Sequence, residues 1–150
     1  MSTSTRGYAH SIDINAAPER LFEAFVDARQ LECWYAAEAS VEARRGGAFR
    51  VRLKDGWVRD AAIDVWEPGR RLRLLYMADP TLPPLGGGAL VEDVLFDVKS
   101  GRTVVRILGS GVPGEREWDA QIAWLRRAWL YWLQSLKRYV ESDPTSPGDP

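Results

Sequence analysis

Three residues that could transfer protons or hold a charged group lie on strand faces shared with apolar residues: His10, Arg59 and Glu92. Side chains alternate between the two faces of a strand, so each points the same way as the apolar residues two and four positions after it. The three could meet at one end of a cavity, where they would anchor the head group of a ligand or act as acid and base. The alternative is that the strands fray or bulge there, so that the charges reach water and Arg59 turns outward. The alternation leaves both interpretations open.

The residue types that bind metals or react as thiols are scarce in this chain. It contains one His and one Cys, which excludes a disulfide framework, a cysteine-rich zinc site and a two-histidine metal site within one chain. We therefore expect no metal and no cofactor. Cys33 is interpreted as a small buried apolar residue rather than a reactive thiol.

The sequence GSGVPG at 109–114 matches the dinucleotide-binding pattern G-x-G-x-x-G by letter. A dinucleotide site also needs a second parallel strand with an acidic residue beyond the helix that follows, and the sequence shows no such strand. We therefore interpret the segment as a turn.

The charge balance bears on the class of partner. Lys and Arg total 20 and Asp and Glu total 21, so the net charge is −1. A protein that binds nucleic acid by neutralising phosphates is basic, so we expect no nucleic-acid partner. No apolar run reaches the roughly 20 residues of a membrane span, and the first residues lack the apolar core of a signal peptide. These features favour a cytoplasmic protein.

Short strands separated by turn residues occupy the middle of the chain. Before them, Pro18 suits the first turn of one short helix, and the capping-box spacing of Asp27 and Gln30 predicts a second short helix that ends at Trp34. Short turns join antiparallel neighbours, because parallel neighbours need a long crossover. Residues 78–88 form the longest loop, either a lid over a cavity or an idle connection. The seven predicted strands are 8–15, 39–43, 49–53, 57–66, 72–77, 91–98 and 103–108.

The last predicted element is a helix over residues 117–141, without Gly or Pro and with apolar residues at helical spacing. Trp118, Trp129 and Trp132 lie on its apolar stripe and are expected in the core or in a cavity wall. Trp66 is expected to face the outer side of the sheet. Trp124 and Tyr131 lie off the stripe, where they either pack under the short helices or form an exposed patch that makes a homodimer.

A seven-stranded sheet is wider than one helix is thick, so the sheet must curl around the helix to bury its apolar face. Curled sheets of this kind seldom fill the enclosed space, and the remainder is a cavity for a small apolar ligand. The residues expected to line it are Trp34, Phe49, Val51, Trp57, Arg59, Ile63, Leu74, Tyr76, Glu92, Val94, Phe96, Ile107, Trp118, Ile122, Leu125 and Trp129.

Several segments together resemble the START-like (SRPBCC) superfamily: INAAPERLF at 14–22, AIDVWEPG at 62–69, the Ser110-Gly111 pair, and Trp118 followed by Trp129. The sequence is most similar to the bacterial homologues of the activator of the heat-shock chaperone ATPase. The resemblance implies an α+β helix-grip fold, a curved seven-stranded antiparallel sheet around a long C-terminal helix, with two short helices between strands 1 and 2. Many relatives have a His at the position of Gly109. We expect one START-like domain over residues 1–141 and a disordered tail over 142–150.

The leading functional hypothesis is binding of a small hydrophobic or aromatic molecule between sheet and helix. One alternative is an enzyme of the cyclase or hydrolase kind, with His10, Arg59 and Glu92 as its polar groups. The other is an interaction module that activates a chaperone ATPase, as the resemblance implies.

Overall fold

The structure describes residues 4–86 and 88–142 of the chain. Within these ranges the computed structural model has seven strands and three α-helices. The strands are β1 (Thr5–Ile14), β2 (Glu38–Val41), β3 (Ala48–Arg52), β4 (Val58–Glu67), β5 (Arg71–Tyr76), β6 (Leu90–Lys99) and β7 (Arg102–Pro113). The helices are α1 (Pro18–Val26), α2 (Ala28–Trp34) and α3 (Asp119–Glu141), and a 3₁₀ turn, Arg116–Trp118, leads into α3.

All seven strands form one antiparallel sheet in the order β1-β7-β6-β5-β4-β3-β2. The curved sheet encloses α3. The two short helices follow β1 in the chain, α1 packing against β6 and α2 against β2. This is the helix-grip arrangement, so the predicted fold class is confirmed. It has one consequence for function: the inward face of the sheet is covered by α3 together with α1 and α2.

The two short helices begin where the sequence predicts. Pro18 occupies the first turn of α1, where its missing N–H leaves no unpaired donor. The Asp27 carboxylate caps α2 by accepting hydrogen bonds from the backbone N–H groups of Arg29 and Gln30. The starts of both helices are therefore favoured by local chemistry.

The apolar stripe of α3 is buried along its whole length, which is about 34 Å for a helix of 23 residues. Off the stripe, Trp124 packs against Trp57 and Trp132, with ring centroids 4.8 and 5.7 Å away. Leu130 and Tyr131 are exposed, whereas Trp124 packs against the core, so the dimer patch predicted from Trp124 and Tyr131 has only Tyr131 at the surface, and the homodimer stays a prediction. The buried residues of the stripe are Ile122, Leu125, Trp129, Trp132, Leu133, Leu136 and Val140.

The prediction for Trp66 was wrong because β4 contains an irregularity. The register between β4 and β5 shifts between Ile63 and Val65, so the alternation of side chains changes phase there. Trp66 consequently faces inward and packs edge-on against Phe22, with ring centroids 5.0 Å apart. The shift lies beyond Ile63, so Arg59 keeps its inward orientation.

Residues 109–113 were also predicted wrongly, since they continue β7 rather than form a turn. Gly109 pairs with Tyr8 of β1 on one side and with Glu92 of β6 on the other. Glycines and a proline are typical of turns, but here Gly109 and Gly111 lie where neighbouring groups leave no space for a Cβ. A Cβ on Gly109 would lie 2.0 Å from the ring of Tyr8.

Cys33 is exposed, which corrects the prediction that it is buried. It lies on α2, whose buried residues are Leu31 and Trp34, and the helical period turns the position between them toward solvent. The predicted disordered tail lies outside the described residues, apart from Ser142 at the end of α3. In the described part of the chain, no helix is both long and apolar enough to cross a membrane.

Candidate functional site

A buried ion pair between Arg59 of β4 and Glu92 of β6 lies on the inward face of the sheet. Arg59 Nη2 donates to Glu92 Oε2 at 2.9 Å and Arg59 Nη1 to Glu92 Oε1 at 3.2 Å. Arg59 is 4% exposed and Glu92 is 1% exposed. The structure therefore brings together two of the three predicted polar residues and excludes water from both.

Three aromatic side chains also donate to the carboxylate of Glu92. Tyr76 Oη donates to Oε1 at 2.8 Å, Trp129 Nε1 donates to Oε2 at 2.8 Å, and Tyr8 Oη donates to Oε2 in a short hydrogen bond. With the two bonds from Arg59, the carboxylate accepts five hydrogen bonds. A charge this deeply buried is stable only when it is paired and hydrogen-bonded, and this one is both.

The guanidinium of Arg59 is enclosed by aromatic groups on its other sides. Its Nη1 donates to Tyr35 Oη at 2.8 Å. The guanidinium carbon, Cζ, lies 4.1 Å from the ring centroid of Tyr76 and 5.8 Å from that of Trp132, and both distances are within the range of a cation–π interaction. The result is a polar network, Tyr8, Tyr35, Arg59, Tyr76, Glu92 and Trp129, called the Arg59–Glu92 network below.

Tyr8 reaches this network because the strand beside it carries a glycine. Tyr8, Gly109 and Glu92 lie opposite one another on the adjacent strands β1, β7 and β6. The ring of Tyr8 occupies the space where a side chain on Gly109 would lie. Gly109, the position at which the family resemblance implies a His, is thus filled by a tyrosine from the next strand.

The protonation states in the network follow from burial and charge. Burial raises the pKa of Glu92, but the charge of Arg59 and the hydrogen bonds from Arg59, Tyr8 and Trp129 outweigh it, so the pKa lies below its ordinary value. Burial raises the pKa of Tyr35 to about 12, and burial together with the charge of Glu92 raises the pKa of Tyr8. At neutral pH the network therefore holds an ionised carboxylate and neutral tyrosines.

His10 lies on the inward face of β1 but does not join the network. Its ring centroid is 6.4 Å from that of Tyr8, and no atom in the described part of the chain hydrogen-bonds its buried Nε2. Burial and the nearby charge of Arg126 lower the pKa of His10. The prediction that His10 lies together with Arg59 and Glu92 was therefore wrong.

A cavity of about 190 Å³ opens beside the network, between β4, β5, the start of α3 and the loop over residues 77–89. Its wall is formed mainly by aromatic and aliphatic side chains, with Arg59 and Tyr76 extending to it from the network. Its lining residues are Trp57, Val58, Arg59, Asp60, Tyr76, Met77, Ala78, Asp79, Pro80, Leu82, Leu90, Trp118, Gln121 and Leu125.

Five of the residues expected to line a cavity lie in this wall: Trp57, Arg59, Tyr76, Trp118 and Leu125. Glu92 lies behind the wall as the centre of the network. The remaining expected residues are buried in the core between sheet and helices: Trp34, Phe49, Val51, Ile63, Leu74, Val94, Phe96, Ile107, Ile122 and Trp129. Side chains thus fill most of the space that the sequence leaves open.

The sequence interpretation missed Tyr8, Tyr35, Leu82, Leu90 and Gln121 as site residues. The period-two alternation of β1, which places Tyr8 on the same face as His10, could have found Tyr8. Leu90 likewise has the same parity as Glu92 on β6. Tyr35 follows α2, Gln121 lies in the first turn of α3 and Leu82 lies in an irregular loop, so no strand periodicity marks them.

Two tryptophans hold the loop over the cavity. Trp57 Nε1 donates to Asp79 Oδ2 at 3.1 Å, and Trp118 Nε1 donates to the carbonyl oxygen of Pro84 at 3.1 Å. Leu82 and Leu85 of the loop pack against the core. The loop is therefore attached on both sides of the cavity, to Trp57 just before β4 and to Trp118 just before α3.

A model of the family described as activator of Hsp90 ATPase homolog 1-like protein matches residues 15–141. The chain belongs to this family. The resemblance seen in the sequence is thereby confirmed. Members of this family, abbreviated AHSA1, have a fold related to that of the Hsp90 ATPase activator. A comparison with curated protein sequences finds no match.

Solved structures share the fold of this AHSA1 family member over nearly its whole length. MLL2253 from Mesorhizobium loti is 17% identical with a TM-score of 0.78, covering 91% of this chain and 98% of that one. The Aha1 dimer from Colwellia psychrerythraea is 20% identical with a TM-score of 0.77, covering 97% and 99%. DynU16, a putative protein in the dynemicin biosynthetic locus, is 24% identical with a TM-score of 0.74, covering 93% of this chain and 49% of that one. At these identities the similarity shows the fold alone.

Proposed function

We propose that this protein binds a small apolar or aromatic molecule in the cavity beside the Arg59–Glu92 network. The observation that carries the proposal is an apolar cavity whose wall contains Trp57, Tyr76 and Trp118 and whose base is held rigid by a buried ion pair. Concave, mostly apolar sites with a few fixed polar groups are the usual form of small-molecule sites.

The volume of the cavity suits a ligand of one ring. Drug-sized ligands occupy pockets of roughly 300–1,000 Å³, whereas cavities of about 150 Å³ hold a benzene molecule. At about 190 Å³, this cavity fits a single substituted ring. Aromatic walls suit such a ligand, because offset and edge-on ring contacts add to the burial of apolar area.

The protonation states in the network favour binding over acid–base catalysis. A general acid or base needs a pKa near the working pH and a free position for the proton. The lowered pKa of Glu92 keeps its carboxylate ionised, and both oxygens are engaged by protein donors. The raised pKa values of Tyr8, Tyr35 and Tyr76 keep these hydroxyls neutral.

Toluene, as the simplest one-ring probe, tests the proposal by NMR titration of the tryptophan indole N–H signals. We expect saturable shifts at Trp57 and Trp118, which line the cavity, and none at Trp34, whose indole donates to the Ala24 carbonyl in the core. Signals are assigned by single Trp→Phe variants. Absence of saturable shifts at Trp57 and Trp118 contradicts the proposal.

A matched pair of variants locates the binding. Leu90→Phe places a larger side chain in the cavity wall and should weaken toluene binding roughly tenfold or more. Leu130→Phe makes the same change at an exposed position of α3 and should leave binding unchanged. Equal effects of the two variants would place the ligand elsewhere.

The family description favours a second candidate, stimulation of a heat-shock chaperone ATPase. Steady-state ATP hydrolysis by an Hsp90-class chaperone, measured with and without an excess of this protein, separates the candidates. Stimulation that persists in Leu90→Phe would support the interaction role, and an unchanged rate would remove it.

A further inference from the structure

We infer that the cavity selects a one-ring ligand bearing a hydrogen-bond donor, with a protonated amine favoured and a carboxylate rejected. This inference rests on the proposed function and adds the chemical class of the ligand. It follows from which polar atoms of the cavity wall are already occupied and which are not.

The donors of the aromatic wall residues are already engaged. The indole N–H groups of Trp57 and Trp118 donate to Asp79 and to the Pro84 carbonyl, each at 3.1 Å. The hydroxyl of Tyr76 donates to Glu92 at 2.8 Å. The charge of Arg59 is balanced by Glu92, with 2.9 Å between Nη2 and Oε2. An anionic ligand would therefore find no unbalanced cation in this part of the wall.

One acceptor of the wall has no donor. Gln121 Oε1 is buried, and no group in the described part of the chain hydrogen-bonds it. Gln121 lines the cavity and also the neighbouring depression that Trp57, Leu82 and Trp124 form. A buried acceptor without a partner costs free energy, and a ligand that donates a hydrogen bond to it removes that cost.

Asp79 supplies a negative charge to the same cavity. Its carboxylate accepts from the Trp57 indole, from the Thr81 backbone N–H at 2.8 Å and from the Thr81 hydroxyl at 2.7 Å, and all three donors are neutral. Among the described residues no Lys, Arg or His forms an ion pair with it. Burial raises the pKa of Asp79, but these hydrogen bonds lower it by more, so the pKa lies below its ordinary value and the group is ionised at neutral pH.

The two acceptors and the aromatic walls together suit an ammonium group. It would donate to Gln121 or Asp79, gain the charge of Asp79, and lie against an indole face, where cations are attracted. A carboxylate in the same place would lose its hydration and face the charge of Asp79. By contrast, Asp60, the other acidic residue of the wall, already pairs with Arg50 at 3.3 Å.

The test compares four one-ring probes of similar size at pH 7 and low salt: toluene, benzyl alcohol, benzylamine and benzoate. The readout is the dissociation constant from the indole N–H shifts of Trp57 and Trp118. We expect benzylamine to bind about tenfold more tightly than toluene, benzyl alcohol to lie between them, and benzoate to bind most weakly.

Two variants separate the contributions of Asp79 and Gln121 to the preference for the amine. Asp79→Asn removes the charge and keeps a single side-chain oxygen, which can accept from Thr81 while the hydrogen bond from the Trp57 indole is lost. It should abolish most of the advantage of benzylamine over benzyl alcohol. Gln121→Met removes the acceptor at nearly equal size, and should weaken benzyl alcohol and benzylamine but not toluene. Asp97→Asn, on the outward face of β6 and paired with Arg106, is the control with the same change of charge.

The outcomes separate this inference from the function on which it rests. Toluene binding without any preference for the amine, or benzoate binding as tight as benzylamine, overturns the inference and leaves the proposed function intact. A preference that Asp97→Asn abolishes as fully as Asp79→Asn also overturns it. Failure of all four probes, toluene included, overturns both.

Discussion

The space between the sheet and the helices is closed differently at its two ends. At the end covered by α1, the ring of Phe96 packs against the rings of Phe22 and Phe25. The ring centroids are 5.6 Å apart for Phe96 and Phe22 and 5.7 Å apart for Phe96 and Phe25. That end is apolar and filled. Under the loop over residues 77–89, the inward face instead holds Arg59, Glu92 and a cavity of about 190 Å³.

The difference follows from what covers each end. A helix presents apolar side chains at a fixed spacing, so α1 can insert Phe22 and Phe25 into the sheet surface. The loop has no regular periodicity, and it contributes Leu82 and Leu85 from an irregular backbone. The regular helix fills the space beneath it, whereas the irregular loop leaves an open space beside it, as is common where loops carry binding sites.

The largest expected effect comes from breaking the polar end. Arg59→Met leaves the ionised Glu92 buried without its cation, and Glu92→Gln leaves Arg59 buried without its anion. Each change should lower the free energy of unfolding by about 3–5 kcal/mol, measured by urea denaturation.

The double variant Arg59→Met/Glu92→Gln is the check on this explanation. It removes both charges, and the amide oxygen at position 92 can still accept from Tyr8 and Trp129 while the amide N–H donates to Tyr76 Oη. It should therefore lose clearly less than the sum of the two single changes. An additive loss would mean that the two residues act independently.

A smaller effect is expected from Gly109→Ala. The added Cβ would lie 2.0 Å from the Tyr8 ring, so the ring must move and its bond to Glu92 is strained. We expect a loss of about 1–3 kcal/mol in the free energy of unfolding. Combination with Tyr8→Ala should relieve the clash, so Gly109→Ala should cost less in that background. An equal cost in both backgrounds would contradict the explanation.

Two positions on β6 compare filled and open space directly. Val94→Leu adds one methylene group in the filled core and should cost about 1–3 kcal/mol. Leu90→Phe adds more volume but extends into the cavity, and should change stability by less than about 0.5 kcal/mol. Thermal and urea unfolding of both variants provide the measurement. A larger loss in Leu90→Phe than in Val94→Leu would show that the cavity is not available space.

The smallest expected effect is a dependence on acid. The pKa of Glu92 is lowered in the folded protein, so its contribution to stability is complete above the ordinary pKa of a glutamate, about 4.3, and is lost as the pH falls through the lower folded value. Wild-type stability should therefore fall more steeply between about pH 4 and pH 2 than that of Glu92→Gln. Urea midpoints across pH 2–7 measure both slopes, and identical slopes would contradict the assignment. Glu141 and Asp79, whose pKa values are also lowered, should leave some acid dependence in the variant.

The sequence predicted those parts of the site that depend on strand alternation. Arg59 and Glu92 share parity with apolar residues of their strands, and the structure places both on the inward face. His10 has the same kind of parity but ends apart from the pair, because alternation specifies a face and not a position along it. Trp66 was misplaced for a related reason, since an irregularity in β4 changes the phase of the pattern.

The amino-acid sequence by itself determined the seven strands, the helix starts at Pro18 and Asp27 and the buried stripe of α3, and it gave Arg59 and Glu92 the same parity as apolar residues of their strands. Each of these depends on chemistry between residues close in the chain. Only the tertiary structure decided that Tyr8 passes over Gly109 to reach Glu92, that Arg59 lies between Tyr35 and Tyr76, and that the open space remains under one loop. These features depend on the register of strands and on contacts between residues far apart in sequence, which local periodicity does not specify.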